Sequence, residues 1–311
     1  MVTALKVTNH LGESLEIDPF DPESSGFLIT DIKGITPIKA DINFTDITTN
    51  DGALFNSARI GTRNITMKLV YFPHPTIEDT RLLSYKYFPI KRNITLDFKT
   101  DHRQAKISGY VESNDINIFT KTEYSSISII CPDPYFYSTN PDGDVDVLFA
   151  GINPKFRFVI PNGSRFVNNT EIPTNNVIFG DIVSFREQLL VYDGDAEIGA
   201  EFIFNAIGSV GSITMQNRIT NEAMTIDATK IASQTGSGIV AGDSIHIYTF
   251  RGDKHANLIR NGETINILNC LDKNMTWLQI RKGDNIFAFT ATSGALDLIA
   301  EIKTKTIYEG L

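Results

Sequence analysis

The sequence is poor in the residues that most often declare a chemistry. Its 311 residues include only two cysteines, Cys131 and Cys270, far apart and without neighbours at metal-ligand spacing. That count excludes a disulfide framework and leaves reduced, partly buried thiols as the expectation. The five histidines show neither H-x-H nor H-x-x-x-H spacing, so zinc chemistry and a histidine general base lack support. There is no G-x-S-x-G nucleophile elbow and no Walker-A loop. Long apolar runs are also missing, and nothing approaches the roughly 20 residues that span a bilayer. Residues 1–11 carry Lys6 and His10 where a secretory signal needs a continuous apolar segment, so synthesis in the cytoplasm is expected. Charge of one sign is nowhere concentrated. The net charge is −9, and residues 1–137 hold 14 basic and 17 acidic side chains. Such a balance excludes a sequence-independent grip on nucleic acid, which needs a basic face. Neither an enzyme nor a cofactor is expected.

What the sequence does contain is strand. Residues 64–72 (NITMKLVYF) place Ile65, Met67, Leu69 and Tyr71 on one face, and residues 93–99 (NITLDFK) repeat the device with Ile94, Leu96 and Phe98. Residues 104–111 and 125–131 read the same way. One helix interrupts them: Thr76 is its N-cap, Glu78 and Asp79 suit its positive end, Leu83 and Tyr87 stack at i, i+4, and Pro89 stops it. A helix laid on one face of an antiparallel sheet covers the core of this half.

At 311 residues the chain exceeds the roughly 250–300 at which single cores stop growing, so two domains are expected. The boundary falls where CPDPYFY (131–137) runs into the turn-rich STNPDGDVD (138–146). This gives domains of 1–137 and 138–311. The second is β almost throughout, punctuated by Asn162-Gly163, Asp193-Gly194, Asn261-Gly262 and Gly283-Asp284. Asn-Gly and Asp-Gly suit tight hairpins whose two central residues need positive φ. Many short alternating strands with such turns indicate a β-sandwich. The stretch around Gly236-Ser237-Gly238 reads as a flexible loop.

Two patterns invite a ligand. Asp142, Asp144 and Asp146 mimic the start of a calcium loop, but Val147 and Asn153 stand where glycine and a bidentate glutamate are required, so a solvated linker is the reading. His255, Asn257 and Trp277 are weak candidates for a carbohydrate site, with Arg260 and Arg281 nearby, because a tryptophan face plus polar side chains suits a pyranose. Arg260 has the opposite strand parity to His255 and Asn257, which breaks the polar clamp and makes Trp277 a core or interface aromatic.

The order and spacing of several segments carry a resemblance. In the first half these are residues 32–44, the run GTRNI (61–65), the helix at 81–88, ISGYV (107–111) and CPDPYF (131–136). In the second they are YDGDA (192–196), GDSI (242–245), LQIRKGDN (278–285) and YEGL (308–311). Together they resemble the distal tail protein, or siphophage tail component, of long-tailed bacteriophages. The resemblance implies a mainly β fold: an N-terminal split β-barrel-like sheet domain with one helix, then a C-terminal galectin-like β-sandwich. It also implies a structural hub at the virion tail tip, a homo-hexameric ring joining the tail tube to the baseplate or receptor-binding apparatus. The partners it implies are tube, tape-measure, tail-tip and receptor-binding proteins, with DNA passing through the lumen unheld. The alternative is a carbohydrate-binding accessory tail protein acting through the C-terminal sandwich.

Overall fold

The structure, a computed structural model, describes residues 1–47, 51–140, 143–153, 181–184 and 186–311. It divides into two compact units. The first comprises Met1–Asp144, Asp193–Ala196 and Lys305–Leu311, and the second Val145–Tyr192 and Glu197–Thr304.

The first unit is built from β1 (Val2–Thr8), β2 (Ser14–Ile17), α1 (Pro22–Ser25), β3 (Phe27–Lys33), β4 (Ala40–Asp46), β5 (Ala53–Ile60), β6 (Arg63–Tyr71), α2 (Ile77–Tyr87), β7 (Asn93–Thr100), β8 (Gln104–Asn117), β9 (Tyr124–Cys131) and β10 (Phe136–Ser138). Seven of these strands form an antiparallel sheet in the order β2-β1-β7-β8-β9-β6-β3. Its end strands, β2 and β3, approach within 8 Å at Cα without a ladder between them, so the sheet curls into an open barrel. Period-2 alternation decides which face turns inward. Ile65, Met67 and Leu69 meet Ile94, Leu96, Phe98, Ile127 and Ile129 in one buried cluster. Helix α2 starts where Thr76 accepts the Asp79 N–H at 3.1 Å. It turns Thr80, Ser84 and Tyr87 inward and leaves Leu82 exposed. Cys131 lies in this core, and burial pushes its thiol up to about 11.

The second unit holds two larger sheets. One is four-stranded, in the order β14 (Glu187–Tyr192), β21 (Gly283–Ala291), β16 (Ile213–Asn217), β17 (Glu222–Ile226). The other is six-stranded: β11 (Asp144–Leu148), β22 (Leu298–Lys305), β15 (Glu201–Ala206), β18 (Ser244–Phe250), β19 (Asp253–Arg260), β20 (Glu263–Asn266). Phe202 of the six-stranded sheet meets Phe287 of the four-stranded one edge to face at 5.7 Å, as inward residues of a sandwich do. A separate pair, β12 (Ala150–Asn153) with β13 (Asp181–Ser184), lies beside them in sequence. Asn261 and Gly262 have φ of 53° and 81°, the tight turn that their types favour, and join β19 to β20. The Asn162-Gly163 pair lies outside the described residues. Gly236-Ser237-Gly238 is a loop, and a helix runs into it: Asp227 caps α3 (Ala228–Thr235), which Gly236 ends in the left-handed region. Asp144 and Asp146 sit on the strand β11, and Asp142 lies outside the described residues.

Residues 193–196 and 305–311 group with the first unit, whereas the sequence placed them in the second domain. The last strand, β23 (Ile307–Tyr308), pairs with β10, which itself pairs with β8. A buried arginine anchors this return. Arg63 is 1% exposed. Its Nε donates to the Pro134 carbonyl at 2.6 Å, Nη1 to those of Gly34 and Thr36, and Nη2 to that of Glu309 at 2.6 Å. Phe136 closes one side, its ring centroid 4.6 Å from the guanidinium carbon. Arg103 repeats the device on the next peptide, donating to the Gly310 carbonyl at 2.6 Å and to Asp195 at 3.0 Å. Gly310 must be glycine because a Cβ there would lie 2.6 Å from Cδ of Pro37. Arg63→Met leaves four carbonyls without their donor and is expected to lower stability by roughly 3–5 kcal/mol. Arg63→Lys recovers part of this through its three donors. Denaturant unfolding followed by far-UV circular dichroism reads both, and an Arg63→Met protein as stable as the parent overturns the assignment.

Candidate functional site

The most conspicuous surface of the first unit is the β4–β5 hairpin, which forms a two-stranded sheet of its own. Residues directly opposite share a face. The register therefore puts Ala40 with Ile60, Ile42 with Ala58 and Phe44 with Phe55 on one side. The other side carries Asp41 with Arg59, an ion pair at 3.6 Å, and Asn43 hydrogen-bonded to Ser57 at 3.1 Å. A bulge at Asn56 keeps the two sides in phase, and Asn56 donates to Thr45 at 2.7 Å. The ribbon is thus amphipathic, yet Ile42, Phe44 and Phe55 are 49%, 59% and 60% exposed. A lone hairpin is marginal in water, and an uncovered apolar face of this kind marks an interaction surface. Sequence reasoning missed it, because the bulge and the polar tip obscure the alternation within residues 32–60.

The outward face of the six-stranded sheet carries the sequence's carbohydrate candidates. His255 and Asn257 lie two residues apart on β19. His255 stacks on Tyr248 at 4.1 Å, and its Nδ1 lies 2.8 Å from Asp253. Asn257 stands opposite His246. The neighbouring polar groups are tied to one another: Nδ1 of His246 lies 2.8 Å from Glu201, and Nε2 lies 2.9 Å from Ser244, which donates to Asn205 at 2.7 Å. A hydrogen bond to Glu201 holds the Tyr248 hydroxyl up to about 12, because removing its proton would set a second negative charge beside the carboxylate. Trp277 is elsewhere. It is half-buried, with the Lys254 ammonium 5.6 Å from its ring centre, and Lys254 has the opposite strand parity to His255 and Asn257. Arg260 turns to Asp243, with contacts of 2.8 and 2.6 Å, and to the loop that ends α3. Arg281 pairs with Glu222 at 3.1 Å. The structure therefore brings His255 and Asn257 together and leaves Trp277 and both arginines apart from them. Among the described residues no cluster of three or more His, Cys, Asp or Glu side chains forms a metal site, and no helix is long and apolar enough to cross a membrane.

A curled antiparallel sheet flanked by a helix, followed by a two-sheet sandwich, is also the fold of a solved phage protein. The similarity runs the whole length of the SPP1 Dit protein, whose crystal structure is described as a paradigm of the hub adsorption apparatus in phages that infect Gram-positive bacteria. It covers 97% of this chain and 98% of that one, with a TM-score of 0.61 and 10% identity. A chain of the phage P2 baseplate, in its activated conformation with calcium, is similar over 98% of this chain and 99% of its own, at 14% identity and a TM-score of 0.44. No family model and no curated protein matches the sequence.

Because the tryptophan is separated from the histidine, a galactoside seated on His255 and Asn257 does not touch Trp277. Titration with lactose is expected to leave the emission of Trp277, the only tryptophan, unchanged. A saturable change that His255→Ala abolishes would show the two to be one site.

Proposed function

We propose that this chain is the distal tail hub of a long-tailed phage, a structural protein without catalytic function. Six copies form a ring that joins the tail tube to the baseplate or receptor-binding apparatus. The observation that carries this reading is the likeness to a hub protein over nearly the full length of both chains, 97% and 98%. The first unit builds the ring, and we read the second as a galectin-like sandwich. Tube, tape-measure and receptor-binding proteins are its partners in the virion tail.

The uncovered hairpin supports assembly from copies of one chain. A ring uses heterologous contacts, in which each copy offers one patch and receives another, so every ribbon is covered and none is left over. The acidic balance of residues 1–137 suits a lumen through which DNA slides without being held.

Light scattering behind size exclusion is expected to report a mass near six chains for the full-length protein, and electron micrographs to show rings. Phe44→Asp with Phe55→Asp is expected to leave the far-UV circular dichroism of the folded chain unchanged, since both side chains are exposed in the single chain. Each lost phenylalanine weakens association by about 2 kcal/mol, roughly thirty-fold. A wild-type protein that stays monomeric up to high concentration and shows no rings overturns the proposal.

A further inference from the structure

The hairpin's apolar face is bordered by acid. Asp46, on the same side of β4 as Ile42 and Phe44, and Asp51 at the tip border that face, whereas Asp41 lies on the other side beside Arg59, the single basic residue of residues 40–60. The same unit presents a second exposed apolar strip with the opposite border. It runs along the C-terminal half of α2 and the turn after it, where Leu82, Tyr85 and Ile90 are 55%, 49% and 54% exposed. Leu82 and Tyr85 share a helix face at i, i+3, and the inward side of the helix is occupied by Thr80, Ser84 and Tyr87. The basic border is Lys86 in the last turn, then Lys91 and Arg92, both exposed. Lys86 is held at 2.8 Å from Glu13, which keeps that part of the border near neutral, so Lys91 and Arg92 carry its charge.

We infer that the β4–β5 ribbon of one copy docks on the α2 end of a second copy of this chain. In that arrangement Phe44 and Phe55 cover Leu82, Tyr85 and Ile90, and Asp46 and Asp51 face Lys91 and Arg92. This rests on the ring reading and names the two halves of its interface. Apolar area supplies the attraction. The charged borders set partner and direction, because a ribbon meeting another acidic ribbon, or helix end meeting helix end, places like charges together. Ribbon and helix end are different patches, so each copy can offer one to a neighbour and receive the other from the next, the heterologous contact from which a ring is built.

The test uses the full-length protein. Lys91→Glu with Arg92→Glu, and separately Asp46→Lys with Asp51→Lys, are each expected to raise the concentration at which rings dissociate by tenfold or more. Combining all four substitutions is expected to restore it. Independently, Phe44→Cys and Ile90→Cys in one chain are expected to give a ladder of disulfide-linked multimers that neither gives alone, while Cys131 and Cys270 stay buried. If the wild type forms rings but no ladder appears and charge reversal leaves the rings intact, the docking is wrong and the ring reading stands. Rings in which Phe44→Cys remains open to a thiol reagent assign the ribbon to a different protein and likewise overturn the docking. A wild type that never assembles removes both.

Discussion

A positive charge buried without a carboxylate governs the architecture of the first unit. Arg63 is taken out of water, and that desolvation draws its pKa below the ordinary value. An unpaired ion in such a place is untenable, so the fold surrounds it with carbonyl dipoles from three separate stretches: 34–36, 134 and 309. Only guanidinium has donors fanned widely enough in one plane to reach all of them. The loop after β3, the CPDPYF segment and the returning strand are therefore not independent conformations. Each exists where Arg63 can bond it, and Gly34, whose Cβ would lie 2.1 Å from the Asn64 carbonyl oxygen, and Gly310 are the places where backbone comes too close for any side chain.

The second governing fact is that one element of this unit is incompletely packed in a single chain. Every other strand of the first unit finds a ladder in the curled sheet and an inward face in the common core. The β4–β5 ribbon has only itself. A monomer would gain nothing from carrying two phenylalanines and an isoleucine into water on a structure that barely holds without help. The ribbon is intelligible as the part of the chain whose core belongs to another molecule. By contrast, the polar side chains on the outer face of the six-stranded sheet are tied to one another, His246 to Glu201 and Ser244 to Asn205, which is how a sandwich finishes a solvent-facing surface.

Legibility in the sequence followed the range of the interactions. Helix α2 could be bounded within a residue because its cap, its dipole-matched charges and the proline beyond it all lie within 14 residues. The strands β6, β7 and β9 were visible because one side of each is uniformly apolar, and the β19–β20 turn because Asn-Gly has few other uses. Helix α3 was hidden in a Thr/Ser/Gly-rich stretch, where a single aspartate cap and one buried isoleucine outweigh poor intrinsic propensity. The burial of Arg63 could not be read locally at all. Its partners lie 27 to 246 residues away, and nothing in GTRNI distinguishes an arginine surrounded by carbonyls from one on the surface. The carbohydrate candidates failed to converge for a related reason: Trp277 and Lys254 meet through a loop approach that strand parity does not reveal.

The place of β23 has a consequence for the time at which the protein becomes competent. Residues 305–311 leave the ribosome only after the whole of the second unit has been made, and until then β10 lacks its neighbour and Arg63 lacks the Glu309 carbonyl. At roughly 5–20 residues per second the wait is on the order of ten seconds or more. A nascent chain thus holds its first unit ajar while the sandwich is synthesised. A chain cut before residue 305 lacks its own keystone, so the closure of the first unit waits on residues that follow the sandwich.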